Sequence, residues 1–378
     1  MKYERKESKR MSLGIDTLKN DERAVFELRS LYRRYGYKRF KMSRFEEYDL
    51  YVKNKDFLVS DRMITFTDLD GTLLALKPDV TISIMKNSRD LDGTVHKVYY
   101  NENVYRALKG QDAFREIMQA GLECIGNVDF YHVCEVITLA AKSLASISGE
   151  YVLDVSHLGF VAELMLAAGV PEAYYGQVLR YVREKNTSEL ERLCEALKLS
   201  GEGKHTLMRL VLTYGDMREV LDELHTLAAN DGMRQALGEL EQIYAVLAKQ
   251  GLSQRVRLDF SVVNDMNYYN GIVFQGFVRG IPSSILSGGQ YDRLMQKMGK
   301  TCGAIGFAVY LDELELLERE NNPYDVDVLL LYGESTDPGT LFDTVERLTA
   351  ADESVLAQRS IPENIRYKRL VVLDGGER

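Results

Sequence analysis

Tyr268-Tyr269-Asn270-Gly271-Ile272-Val273-Phe274 decides how the rest of this chain reads. Paired aromatics, an Asn-Gly dipeptide that predicts a hairpin, and a β-branched run mark it as β structure. Outward toward the C-terminus come Ser287-Gly288-Gly289-Gln290-Tyr291-Asp292 and Ala304-Ile305-Gly306-Phe307-Ala308. Outward toward the N-terminus come Gln119-Ala120-Gly121-Leu122-Glu123, the strand-like stretch up to Arg106, and Leu76-Lys77-Pro78-Asp79-Val80-Thr81. Each segment alone is common in β proteins. Together they can form one pocket. Asp79, Gln119 and Glu123 can accept hydrogen bonds from an ammonium group, and Tyr268 and Tyr269 offer flat walls with hydroxyl tips. Gly288 and Gly289 let a backbone come close to a ligand. An amino acid fits such a site.

The remaining pattern supplies a frame for that pocket. Residues 1–19 read as a mobile tail of mixed charge. Asn20 serves as a helix N-cap, Ala24, Val25, Leu28, Leu31, Tyr32 and Tyr35 fall at helical spacing, and Gly36 ends the helix. Short β-prone segments occupy about 37–106, with Val95–Tyr105 the longest, and 130–148 is helical. Residues 160–250 are rich in Ala, Leu, Glu, Arg and Lys and read as a helical insertion, after which strands return at Val256–Val263 and Ala304–Tyr310 with a helix at Leu311–Glu320. Asn321-Asn322-Pro323 reads as a linker to a small strand–helix–strand segment, 323–378. The domains expected are therefore the tail, a main domain over 20–321 with its insertion, and the C-terminal segment, in an α+β protein.

Composition narrows the function. The 378 residues carry 48 Lys and Arg against 57 Asp and Glu, a net charge of −9 that argues against a nucleic-acid footprint. No apolar run is long enough for a membrane helix, and the charged N-terminus does not resemble a secretory signal. Cys124, Cys134, Cys194 and Cys302 are scattered, so no zinc knuckle or disulfide framework follows and a reducing, cytoplasmic setting fits. The five histidines show no ligand spacing, and no metal is assigned.

Two other motifs compete. Asp68-Leu69-Asp70-Gly71-Thr72 matches the D-x-D-G-T signature of haloacid-dehalogenase phosphatases, but Asp-Gly is also a strong turn dipeptide and no second acidic pair follows. The turn is the preferred reading. Gly201-Glu202-Gly203-Lys204-His205 lacks the spacing and the final Ser or Thr of a P-loop, and reads as a helix–helix connection.

In their order, the pocket segments resemble the catalytic core of the histidine–tRNA ligases, a class II aminoacyl-tRNA synthetase family, from about residue 14 to residue 320. The resemblance implies an antiparallel sheet flanked by helices, with Arg34-Tyr35-Gly36-Tyr37 in a dimer-forming first motif. It implies that Asp79 and Thr81 hold a histidine amino group, Arg106 a phosphate, Gln119 and Glu123 the substrate, and Tyr268 and Tyr269 the imidazole. Gly288 and Gly289 fall in its Gly-Gly motif. The departures fall on the cations. Asn264, Gln290 and Glu313 stand where the resemblance implies arginines, and Leu108 where it implies the carboxylate that orients adenine. Losing one donor to a developing charge costs roughly 10²–10³ in rate, and a Glu beside triphosphate oxygens repels them. Adenylation is not expected.

A synthetase-like chain without those cations is similar to the regulatory subunits of ATP phosphoribosyltransferase. That resemblance implies no catalysis by this chain and no cofactor or tRNA. It implies a homodimer within a hetero-oligomer with the short catalytic chain, supporting the first step of histidine biosynthesis and its feedback inhibition by histidine. An active histidine–tRNA ligase-like synthetase is the alternative, and the Asp68/Asp70 phosphatase a second one.

Overall fold

A computed structural model describes residues 18–58, 62–87, 94–107, 113–262, 269–317 and 323–373. The expectations for residues 1–17 and for Leu108, Asn264 and Tyr268 lie outside the described residues. The chain divides into two units, Met1–Leu314 and Glu315–Arg378.

The first unit opens with helix α1, Asn20–Arg34. Its N-cap is Lys19 rather than Asn20, because the Glu22 carboxylate reaches back to accept from the Lys19 N–H at 3.1 Å. Its buried stripe is Ala24, Val25, Leu28, Leu31 and Tyr32. Gly36, at φ +84°, ends it in the left-handed conformation that glycine adopts without penalty.

The strand β1 (Lys38–Arg39) precedes a small antiparallel sheet of β2 (Phe45–Glu47), β3 (Thr65–Thr67) and β4 (Leu73–Leu76), ordered β2-β4-β3. Between β3 and β4, Asp68–Thr72 is a tight turn. The Asp68 and Thr72 main chains bond across it at 2.9 Å, Asp70 accepts from the Thr72 N–H, and Gly71 has φ +91°. That bond from Thr72 holds the Asp70 carboxyl below its ordinary pKa. The three residues of β3 are exposed, so this is a surface hairpin and not the end of a buried parallel strand that a phosphatase nucleophile needs.

After the helices α2 (Tyr48–Lys53) and α3 (Val80–Asn87) come the two long strands β5 (Val95–Ala107) and β6 (Phe114–Gly126). Then follow α4 (Phe130–Ile147) and β7 (Tyr151–His157). The insertion comprises α5 (Leu158–Ala167), α6 (Tyr175–Arg183), α7 (Thr187–Ala196), α8 (Gly201–Leu212), β8 (Tyr214–Asp216), α9 (Met217–Leu227) and α10 (Asp231–Lys249). The chain closes the unit with β9 (Val256–Asp259), β10 (Ile272–Val278), β11 (Leu286–Gln290), α11 (Asp292–Lys297) and β12 (Gly303–Tyr310). Where the sequence predicts a helix over Leu311–Glu320, residues 312–314 form a 3-10 turn and 315–317 are helical.

The nine strands of the main sheet are ordered β1-β5-β6-β12-β11-β10-β7-β9-β8. Pairings are antiparallel except β1 with β5 and β7 with β9. The α+β class and the antiparallel sheet flanked by helices agree with the sequence. The insertion is not wholly helical: β8 pairs with β9 and adds the outermost strand to the sheet. Ser200, whose hydroxyl accepts from the Gly203 N–H at 3.0 Å, caps α8, so the Gly-Glu-Gly segment begins a helix.

Alternation along the strands sorts the faces. One face carries Leu122, Phe274 and Phe307 under α1 and α4, with Tyr32 edge-on to Phe307 at 6.0 Å and bonded to Ser143 at 3.1 Å. The other face carries Gln119, Gly121, Glu123, Gly306, Ala308 and Tyr310, which belong to the site below.

The second unit holds β13 (Val326–Leu331), α12 (Pro338–Thr349), β14 (Val355–Gln358) and β15 (Tyr367–Val372). Asp337 caps α12 ahead of Pro338. The strands pair in parallel, ordered β14-β13-β15. The sequence reading missed β14, which has four residues and no buried face to produce an alternation signal.

Candidate functional site

Glycine spacing and strand register build the site. On β6, Gln119, Gly121 and Glu123 point to one face. Their partners across the pair with β12 are Tyr310, Ala308 and Gly306. Ser287 and Gly289 of β11 continue the same rows. A Cβ on Gly306 would collide with Glu123 Oε2 and the Leu122 carbonyl, so the absent side chain is what admits the Glu123 carboxyl. Gly306→Ala is therefore expected to lower stability by about 1–3 kcal/mol, as overpacked cores do. Thermal melting checks it, and an unchanged midpoint would sink the steric account.

These rows form the floor of a cavity of about 340 Å³. Its walls include Asp79, Val80 and Thr81 at the start of α3, Arg106 at the end of β5, Tyr269 before β10, and Tyr291 after β11. The volume lies within the range of roughly 300–1,000 Å³ typical of small-molecule sites.

Two carboxyls face the cavity. Asp79 Oδ1 accepts from the Ile82 N–H at 3.0 Å and so caps α3. Burial raises its pKa, while Arg106 and the backbone amides of Ile82 and Thr81 oppose the rise. Glu123 is 2% exposed. Its Oε1 accepts from the Thr81 hydroxyl at 2.8 Å, and its Oε2 from the Tyr291 hydroxyl in a short bond. Burial pushes the Glu123 carboxyl up to about 8 against the pull of those two hydroxyls. Burial likewise raises the phenols of Tyr100, Tyr269 and Tyr310, which stay protonated and can donate.

Opposite in character are two buried donors without partners. Gln119 is 2% exposed and its Nε2 makes no hydrogen bond; Arg106 is 8% exposed and its Nε makes none. Buried unsatisfied donors cost about 1–3 kcal/mol each and call for an explanation. A ligand that accepts from them supplies one.

Of the residues singled out in the sequence, Asp79, Thr81, Arg106, Gln119, Glu123, Tyr269 and Gly288 come together on this cavity. Gly289, in the same row, is covered by Tyr269: a Cβ there would stand 2.7 Å from Tyr269 Cδ1, so its role is to seat that ring. A Cβ on Gly288 would meet Phe274 and the Gly306 carbonyl, so this glycine serves sheet packing as well as the cavity. Both glycines thus make room for protein atoms, and of the two only Gly288 also lines the cavity.

Asn270-Gly271 is not a hairpin turn. Asn270 Nδ2 donates to Asp292 at 2.9 Å and its Oδ1 accepts from the Asp292 N–H at 2.8 Å, pinning the cavity wall to α11. Gln290 does not line the cavity, and its Oε1 accepts from the Ile272 N–H at 2.8 Å, a structural bond. Glu313 does not line it either; its Oε2 accepts from the Ser283 hydroxyl at 2.8 Å. Sequence reasoning missed Phe57, Leu58 and Tyr310 on the wall. Tyr310 could have been found, since it lies an even number of residues after Gly306 on one strand. Phe57 ends a 3-10 turn, Leu58 follows it, and neither carried a signal. Among the described residues no group of three or more His, Cys, Asp or Glu could hold a metal, and no helix is long and apolar enough to cross a membrane.

With this geometry in hand, comparison with known proteins is informative. A family model described as Histidyl-tRNA synthetase matches residues 13–314, and the chain belongs to that family. A relative from Oceanobacillus iheyensis, named ATP phosphoribosyltransferase regulatory subunit, is 28% identical over 372 residues, spanning 97% of this chain and 91% of that protein. A crystal structure from Bacillus halodurans, described as an ATP phosphoribosyltransferase regulatory subunit/histidyl-tRNA synthetase, is 26% identical with a TM-score of 0.72, covering 93% of both chains. An ATP phosphoribosyl transferase complex from Thermotoga maritima shares the fold, with a TM-score of 0.62 at 18% identity over 77% of this chain and 97% of that one.

Proposed function

We propose that this chain is a non-catalytic regulatory subunit of ATP phosphoribosyltransferase, and that its cavity takes histidine. It assembles with the short catalytic chain, as a homodimer within a hetero-oligomer, for the first step of histidine biosynthesis and its feedback inhibition. The names carried by its relatives support the partner and the role. The buried thiols of Cys124, Cys134 and Cys194, none of them in a disulfide, support a cytoplasmic, reducing setting.

The observation that carries the ligand is the opposition of charge within one cavity. Arg106 Nε and Gln119 Nε2 are unpaired buried donors, suited to a carboxylate. Asp79 and Glu123 are acceptors, suited to an ammonium or an imidazole N–H. An α-amino acid presents both. The chemistry of activation has less support. A triphosphate needs fixed cations, and Glu313 holds Ser283 where the family resemblance implies an arginine.

Mixing the short catalytic chain with and without this protein, and following phosphoribosyl-ATP formation, tests the role. Activity is expected to depend on this chain and to fall as histidine is added. Histidine-dependent pyrophosphate exchange by this chain alone is expected to be absent; robust exchange would restore the synthetase alternative.

A further inference from the structure

The cavity holds more negative than positive groups. Asp79 at the start of α3 and Glu123 on β6 face it, against Arg106 on β5, the one cation among the described lining residues. No lysine or arginine pairs with Glu123 among the described residues; its two oxygens are met only by the hydroxyls of Thr81 and Tyr291. The other ionisable groups around it, Tyr100, Tyr269 and Tyr310, are phenols held neutral by burial. Hydroxyls can accept as well as donate, so either neighbour of Glu123 can turn to receive a carboxyl proton. The empty site is built to tolerate a neutral Glu123, and a filled site is not: an incoming N–H donor needs the oxygen that the proton occupies.

We propose that ligand binding in this cavity expels the Glu123 carboxyl proton to solvent, so that occupancy strengthens with rising pH. The inference rests on the reading of the cavity as a histidine site and adds how that site is regulated. The O–H bond of the Glu123 carboxyl breaks, its proton passes to buffer, and a ligand N–H···O bond takes its place. Thr81 and Tyr291 then both donate to the carboxylate. The elevated Glu123 pKa of about 8 sets the window. Below it the neutral form dominates and each binding event must release a proton; above it the site is already ionised and the linkage fades. Feedback inhibition through this site would be weaker in an acidified cell.

Calorimetry with histidine on the full-length chain, alone and in its complex, tests this in buffers of different ionisation enthalpy. Near neutral pH, close to one proton released per bound ligand is expected, with affinity rising roughly tenfold per pH unit until it levels off. Tyr291→Phe removes a hydroxyl that stabilises the carboxylate, so its affinity profile should level off at higher pH while binding persists above that point. The ligand's own titration is the same in both proteins and cannot produce that shift. Measurable binding without proton release, or a Tyr291→Phe profile superimposed on the wild type, overturns the linkage and leaves the histidine site standing. No binding at any pH overturns both.

Discussion

Arg106→Ala is expected to weaken histidine binding in the proposed site by roughly 30-fold to several-thousand-fold, the range set by the 2–5 kcal/mol that loss of a buried charged partner costs. Two effects act together. The alanine removes the Arg106 guanidinium from the cavity wall, and with it a donor suited to a ligand carboxylate. It also removes the larger of the two cationic influences, Arg106 and Lys77, that oppose the rise of the Asp79 pKa, so that carboxyl moves further toward its neutral form and holds an ammonium less well. Calorimetry at mildly alkaline pH reads the affinity, and circular dichroism confirms that the variant is folded. A change of less than about threefold, well below the range for such a loss, would mean that ligand does not touch Arg106.

Glu102→Ala destabilises the protein by about 3–5 kcal/mol, the cost of orphaning a buried charge. Lys77 is fully buried, and its Nζ donates to Glu102 at 3.0 Å and to the Ser43 carbonyl at 3.2 Å. Burial lowers the Lys77 pKa and Glu102 opposes that fall, so without Glu102 it drops further. The unfolded chain then binds more protons than the folded one across the alkaline range, and stability rises with pH there. The deficit of the variant should therefore be largest near neutrality and shrink as pH climbs. Denaturant unfolding at several pH values measures it. Lys77→Met is the control: an apolar side chain of similar length should be far better tolerated than a lysine deprived of its partner. A Glu102→Ala deficit that does not vary with pH would show that packing, not charge, is at stake.

These residues also show where sequence reasoning reached its limit. Lys77 lies in the segment that resembles a substrate loop, yet it is committed to an ion pair beneath that loop. Local patterns identified the long strand β5 and the helices α1 and α4, because each has a periodic apolar face that depends only on neighbours along the chain, whereas β6, Phe114–Gly126, was not assigned as a strand. Asn270-Gly271 has the composition of a hairpin turn, and a turn was the local expectation. Its side-chain bonds to Asp292, 22 residues away in sequence, outweigh that preference. Phe57 and Leu58 reach the cavity by a route that no spacing encodes.

By itself, the sequence determined the class of fold, the order of its main elements and the residue types proposed to bind an amino acid. Each of these is carried by short-range periodicity or by the identity of a side chain. Only the tertiary structure decided which of those residues share a cavity and which are bound elsewhere. Strand register set Glu123 opposite Gly306, where the missing side chain leaves space for its carboxyl. Burial then raised the Glu123 pKa and left Arg106 and Gln119 with unmet donors. Desolvation and register depend on what lies across the sheet, and no residue carries that information in its own neighbourhood.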